Sequence, residues 1–122
     1  MILKRYGLDW LRSFEMTSPK EGRKVRDMVI GVCQLDLRIP ENHSLKGKRH
    51  VLRKLTDRVR NRFNVAISEV GDNDLWQRAQ IGICTVSNDR RHINSSLDKV
   101  IDFIEKMYLV EVVSTEMEIL TL

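Results

Sequence analysis

Met28-Val29-Ile30-Gly31-Val32-Cys33-Gln34-Leu35-Asp36-Leu37-Arg38-Ile39 is the stretch that decides the fold. Its residues alternate. Val29, Gly31, Cys33, Leu35, Leu37 and Ile39 share one face; Ile30, Val32, Gln34, Asp36 and Arg38 share the other. Such a stretch reads as a two-faced strand with one face fully apolar. Pro40 ends it, and Glu41-Asn42-His43 forms a loop. Ser44 is the N-cap of a helix that runs to about Phe63, with an inward stripe of Leu45, Val51, Leu52, Leu55, Val59 and Phe63.

Working outward, Val65–Val70 is a second strand and Gly71-Asp72-Asn73-Asp74 a strong turn. Ala79–Ser87 is a third strand, so these two form a hairpin. Asn88 or Ser87 caps a second helix, whose core stripe is Ile93, Leu97, Val100, Ile101, Ile104 and Tyr108. Val110–Leu120 is the last strand. The order β-α-β-β-α-β with right-handed crossovers predicts an α+β, ferredoxin-like sandwich: a four-stranded antiparallel sheet with two helices on one face. The other sheet face is left open, and Ile30, Val32, Val110 and Val112 are expected to give it apolar area. A bare patch of that kind suggests a partner, a second copy or the N-terminal segment as cover.

Residues 28–122 make one domain. Residues 1–27 differ in character. Leu3, Tyr6, Trp10 and Phe14 recur at helical spacing, and Thr17–Lys24 is a polar run containing Pro19 and Gly22. Two readings stay open: an amphipathic helix with a linker that packs on the body, or a chain whose true start is Met28. Charge interrupts the first apolar residues (Lys4, Arg5), which makes a poor secretory signal. No apolar run approaches the ~20 residues of a membrane span. Cys33 and Cys84 lack metal-ligand spacing and are too few for a disulfide scaffold. A cytoplasmic protein without membrane partners, metal or cofactor is the expectation.

Charge is the clearest functional signal. Between residues 43 and 62 stand eight cations and one acid, Asp57, for a net +7, whereas residues 28–122 as a whole carry only +1. The second helix, by contrast, is balanced. A basic helix attracts phosphate, and nucleic acid is the commonest polymer that carries it. Ser44, Lys46, Lys48 and Arg49 cluster where a helix N-terminus presents free N–H groups; Gly47 would let a backbone approach closely. Arg49, Arg53 and Arg60, with Lys54 alongside, are expected opposite the apolar stripe, free for bidentate phosphate contact. The bland alternative is a solvated turn and a solvated helix face. Trp76 and Arg78 are candidates for stacking or partner contact; the competing reading of Trp76 is cover for the end of the core. Strands one and three carry no aromatic residues, so the sheet does not offer the aromatic platform of an RNA-recognition motif. His43, His50 and His92 are scattered in polar surroundings, and no catalytic arrangement can be argued.

Ser44-Leu45-Lys46-Gly47-Lys48-Arg49, Arg60-Asn61-Arg62-Phe63-Asn64-Val65, Glu69-Val70, Leu75-Trp76-Gln77-Arg78-Ala79 and Val86-Ser87-Asn88-Asp89 together resemble the YlxP-like family of small bacterial proteins (domain of unknown function 503). The resemblance covers residues 28–122. It implies a ferredoxin-like fold, a cytoplasmic bacterial protein, and a gene often placed beside genes for translation initiation and small-subunit maturation. It brings no activity and no catalytic residues. The leading expectation is therefore a non-enzymatic binding protein that contacts RNA, in particular a ribosomal subunit, through the first helix. The alternatives are a protein-interaction or homo-oligomerisation module without RNA binding and, from fold analogy alone, a phosphate-handling enzyme.

Overall fold

The computed structural model describes residues 26–122. The readings of residues 1–27 fall almost wholly on 1–25, outside the described residues. The element order is β1 (Val29–Arg38), α1 (Leu45–Arg62), β2 (Ala66–Gly71), β3 (Arg78–Ser87), α2 (Arg90–Lys106) and β4 (Glu111–Thr121). The four strands form one antiparallel sheet in the order β2-β3-β1-β4. This is the ferredoxin-like β-α-β-β-α-β arrangement.

β1 is central, and its alternation positions everything else. Val29, Cys33, Leu35, Leu37 and Ile39 are buried beneath the helices, joined by Ile67, Ala79, Ile81 and Ile83 from β2 and β3. Each helix seals this face with an apolar stripe: Leu52, Leu55 and Val59 from α1; Ile93, Leu97, Val100 and Ile104 from α2. A large aliphatic side chain moved fully out of water contributes about 1.5–3 kcal/mol. α1 lies over β2, and α2 over β1 and β4. At Gly31 α2 packs directly on the sheet: a methyl group there would run into Ile93 and Leu97. Between the helix ends, the Phe63 and Phe103 rings meet edge-on with centroids 5.4 Å apart, and the Arg62 guanidinium lies 5.1 Å from the Phe103 ring.

Three expectations need correction. Asp89, rather than Ser87 or Asn88, caps α2: its carboxylate accepts from Arg91 N at 2.9 Å. Tyr108 does not belong to the core stripe. The helix ends at Lys106, and Tyr108 turns into the left-handed region (φ 55°) with 89% of its surface exposed; Val110 closes the core in its place. Val110 and Val112 do not face the open side. A β-bulge in β4 pairs Asp36 with Ser114 but Leu37 with Val112, leaving Val113 as the extra residue. That insertion reverses the alternation, so Val112 falls on the inward face with Leu37 while Glu116, Glu118 and Leu120 face outward. Cys33 and Cys84 sit on neighbouring strands but pair with Ile83 and Val32 respectively, so their side chains point to opposite faces.

Candidate nucleic-acid interface

α1 starts as its sequence directs. Ser44 is extended, and its hydroxyl accepts from Gly47 N at 2.9 Å. The cap thus satisfies one of the orphan donors of the first turn. From there the cations of α1 separate into distinct environments.

Lys48 turns inward. Only 1% of it is exposed. Its ammonium lies 2.9 Å from Glu69 Oε2 on β2 and donates to the carbonyls of Asp72 and, at 2.8 Å, Leu75. Two carbonyls take N–H donors of the ammonium and the Glu69 carboxylate supplies the counter-charge, which is what lets it be buried. The expectation that Lys48 contacts phosphate is therefore corrected: it fastens the β2–β3 loop to α1. The exposed stripe of the other cations gave no hint of this, although Glu69 in a strand of apolar neighbours was an available signal.

Lys46, Arg49, Arg53 and Lys54 are exposed. None of them forms an ion pair among the described residues. Arg49, Arg53 and Arg60 line one shallow groove of about 230 Å³ between α1 and β2, together with Thr56, Ser68 and Glu69. They flank the apolar stripe on the β2 side instead of standing opposite it, because the helix is centred on Lys48, Leu52, Leu55 and Val59. Arg60 is partly engaged. It donates to Ile67 O at 2.9 Å and lies 3.6 Å from Asp57. Arg49 and Arg53 are the cations best placed for a ligand.

The loop before α1 and the β2–β3 loop are tied together. The Asn42 carboxamide donates to Ser44 O at 2.8 Å and to Trp76 O at 2.6 Å, and Gln77 Nε2 donates to Asn42 O at 3.1 Å. Ile39 N donates to Gln77 O at 2.9 Å. Gly47 is needed for this arrangement: a side chain there would collide with the Asn42 carboxamide. Its role is to seat Asn42, where the sequence had suggested close approach of a ligand. Trp76 is 52% exposed, so it does not cover the core, and Arg78 is exposed two residues on. Among the described residues, no three His, Cys, Asp or Glu side chains gather as metal ligands, and no helix is long and apolar enough to cross a membrane. The Cys33 thiol is pushed up from its ordinary pKa by burial and, secondarily, by the Asp98 carboxylate.

The model of the family described as "Protein of unknown function (DUF503)" matches residues 30–117. A relative from Bacillus subtilis (strain 168), "Uncharacterized protein YlxP", is 40% identical over 90 residues, which cover 74% of this chain and 98% of the relative. The chain belongs to the YlxP-like DUF503 family. The family match spans β1 to the middle of β4 and so takes in all the residues of the α1 groove and the Asn42–Trp76 junction. Among solved structures, the de novo designed protein Foldit4 is similar at a TM-score of 0.49 with 13% identity, over 78% of this chain and 98% of that one. A C-terminal segment of the aIF2 alpha subunit from Pyrococcus abyssi is similar at 0.44 with 15% identity, over 98% and 69%. At these scores neither likeness bears on function.

Proposed function

We propose that this DUF503-family protein is a non-enzymatic RNA-binding protein of the bacterial cytoplasm, associated with a ribosomal subunit through the basic side of α1. The observation that carries the reading is the pair Arg49 and Arg53. They stand one turn apart, exposed and without ion-pair partners among the described residues, along a groove beside β2. Lys46, Lys54 and, in part, Arg60 extend the same basic surface. Cations held on a rigid helix give phosphate contacts that set orientation and affinity, with binding that weakens steeply as salt is added. The family resemblance adds a gene context of translation initiation and small-subunit maturation. Arg49→Glu combined with Arg53→Glu tests the proposal: co-sedimentation with ribosomal subunits is abolished while the thermal midpoint stays near that of the parent. Unaltered co-sedimentation overturns it.

A second reading rests on the open sheet face. Val86 and Leu120 are exposed there beside Ile30 and Val32, and a trough of about 570 Å³ is bordered by Val32, Ala66, Val70, Cys84 and Glu118. That combination suits a protein partner or a second copy. A salt-resistant oligomer that binds no RNA would favour it over the first reading.

A further inference from the structure

We infer that the end of the domain beyond β1's last residue is a stacking platform for unpaired nucleotides, with Trp76 and Tyr108 as the side chains on which bases stack. The inference rests on the RNA reading and narrows it, from nucleic acid in general to single-stranded segments.

The sheet register brings the parts together. Arg38 at the end of β1 pairs with Arg78 on β3 and with Glu111 on β4. Trp76 precedes Arg78 by two residues, and Tyr108 precedes Glu111 by three. Both aromatics therefore lie just outside one cross-strand row, in the segments that lead into β3 and β4, strands that are two ladder spacings, about 10 Å, apart. α1 begins at the same end, which places the exposed Lys46 and Arg49 of its first turns there, and Arg78 is exposed in the row itself.

Each aromatic is held in a way that packing does not explain. Trp76 is half exposed, yet three successive carbonyls of its loop are fixed: Leu75 O by Lys48, Trp76 O by Asn42 and Gln77 O by the backbone of Ile39. An indole on so constrained a backbone has little left to lose in ordering when a ligand arrives. Tyr108 occupies the position after a helix where glycine is favoured, at φ 55°, and 89% of its surface is exposed. A bulky residue kept in left-handed backbone with its ring in water points to use of the ring. Bases inside a duplex hide their faces against one another, whereas unstacked bases offer them to aromatic side chains. The neighbouring cations would hold the intervening phosphates.

The test is fluorescence anisotropy of the full chain with two probes: a labelled oligouridine of about 10 nucleotides and a blunt RNA duplex of equal length. Trp76→Ala and Tyr108→Gly should each weaken the single strand at least about fivefold while leaving the duplex unchanged. Trp76→Phe should restore most of the loss. Tyr108→Gly should melt at the same or a higher temperature, because glycine accepts the φ at no steric cost, which separates lost stacking from lost folding. Parent-like single-strand binding by both variants overturns the platform, and the RNA reading survives if Arg49→Glu with Arg53→Glu still abolishes binding. Equal weakening of both probes overturns the preference for unpaired bases. A parent protein that binds neither probe overturns the RNA reading and the platform with it.

Discussion

The Asn42 carboxamide occupies the space that any side chain at position 47 would need. Replacing Gly47 by Ala should improve intrinsic helix propensity by about 1 kcal/mol. It must also displace Asn42 from Ser44 O and Trp76 O, two hydrogen bonds each contributing about 0.5–1.5 kcal/mol. We expect Gly47→Ala to be destabilising in urea titration. Asn42→Ala with Gly47→Ala should be no less stable than Asn42→Ala alone, since the collision is gone and the propensity gain remains. A stabilised single Gly47→Ala variant would contradict this account.

Lys48→Ala leaves the Glu69 carboxylate without its cation and the β2–β3 loop without its anchor. Loss of one member of a buried pair should lower stability by about 3 kcal/mol, read as a fall in the denaturant midpoint. Lys48→Met combined with Glu69→Leu should recover most of that loss, because no charge is then stranded. Loop anchoring would stay broken in the double variant, so nucleotide binding should not recover with stability.

Gly31 is the point where α2 rests on the sheet, and a Cβ there would meet Ile93 and Leu97. Gly31→Ala is expected to push the helix outward at an overpacking cost of about 1–3 kcal/mol. Calorimetry would show a lowered thermal midpoint. Gly31→Ala with Ile93→Ala should cost less than the sum of the two single changes, since the colliding Cγ2 methyl of Ile93 is then absent.

The two thiols should react differently. Cys84 lies half-buried on the open face, whereas Cys33 is in the core with its thiol pushed up by burial and by Asp98. The upward shift keeps Cys33 in the unreactive thiol form at neutral pH. Iodoacetamide on the native protein should label Cys84 alone by mass spectrometry, with Cys33 following only in denaturant. Their opposite orientations also predict no internal disulfide under mild oxidation.

The legible features were those set by local alternation and capping. β1's two faces, Ser44 as a cap and the apolar stripes of both helices could be read directly because each depends on residues a few positions apart. Two things could not. The bulge at Val113 inserts one residue without altering composition, so the face expected for Val110 and Val112 is the wrong one. The inward turn of Lys48 depends on Glu69 and on two carbonyls of the β2–β3 loop, partners distant in sequence that only the fold brings together. For the same reason the link from Asn42 to Trp76 lay beyond any pattern within one segment, and so did the value of Gly47. Arg49 and Arg53 were found by charge alone; their groove along β2 was not.

The strand order has a kinetic consequence. β1 emerges first yet sits between β3 and β4, and its last ladder partner is almost the final part of the chain: Val29 pairs with Thr121, and Leu122 N bonds to Met28 O at 3.0 Å. β1 can pair with β3 early, but its other edge and the α2 helix that covers it wait for nearly the whole domain to be present. Pairings so distant in sequence pay their loop-closure entropy before they return any contact energy. Zipping β4 onto β1 is therefore the step expected to limit folding. Its reversal, with β4 peeling from the edge, is expected to be a partial opening of the sheet, so amide protons of β4 should exchange with solvent before those shared by β1 and β3.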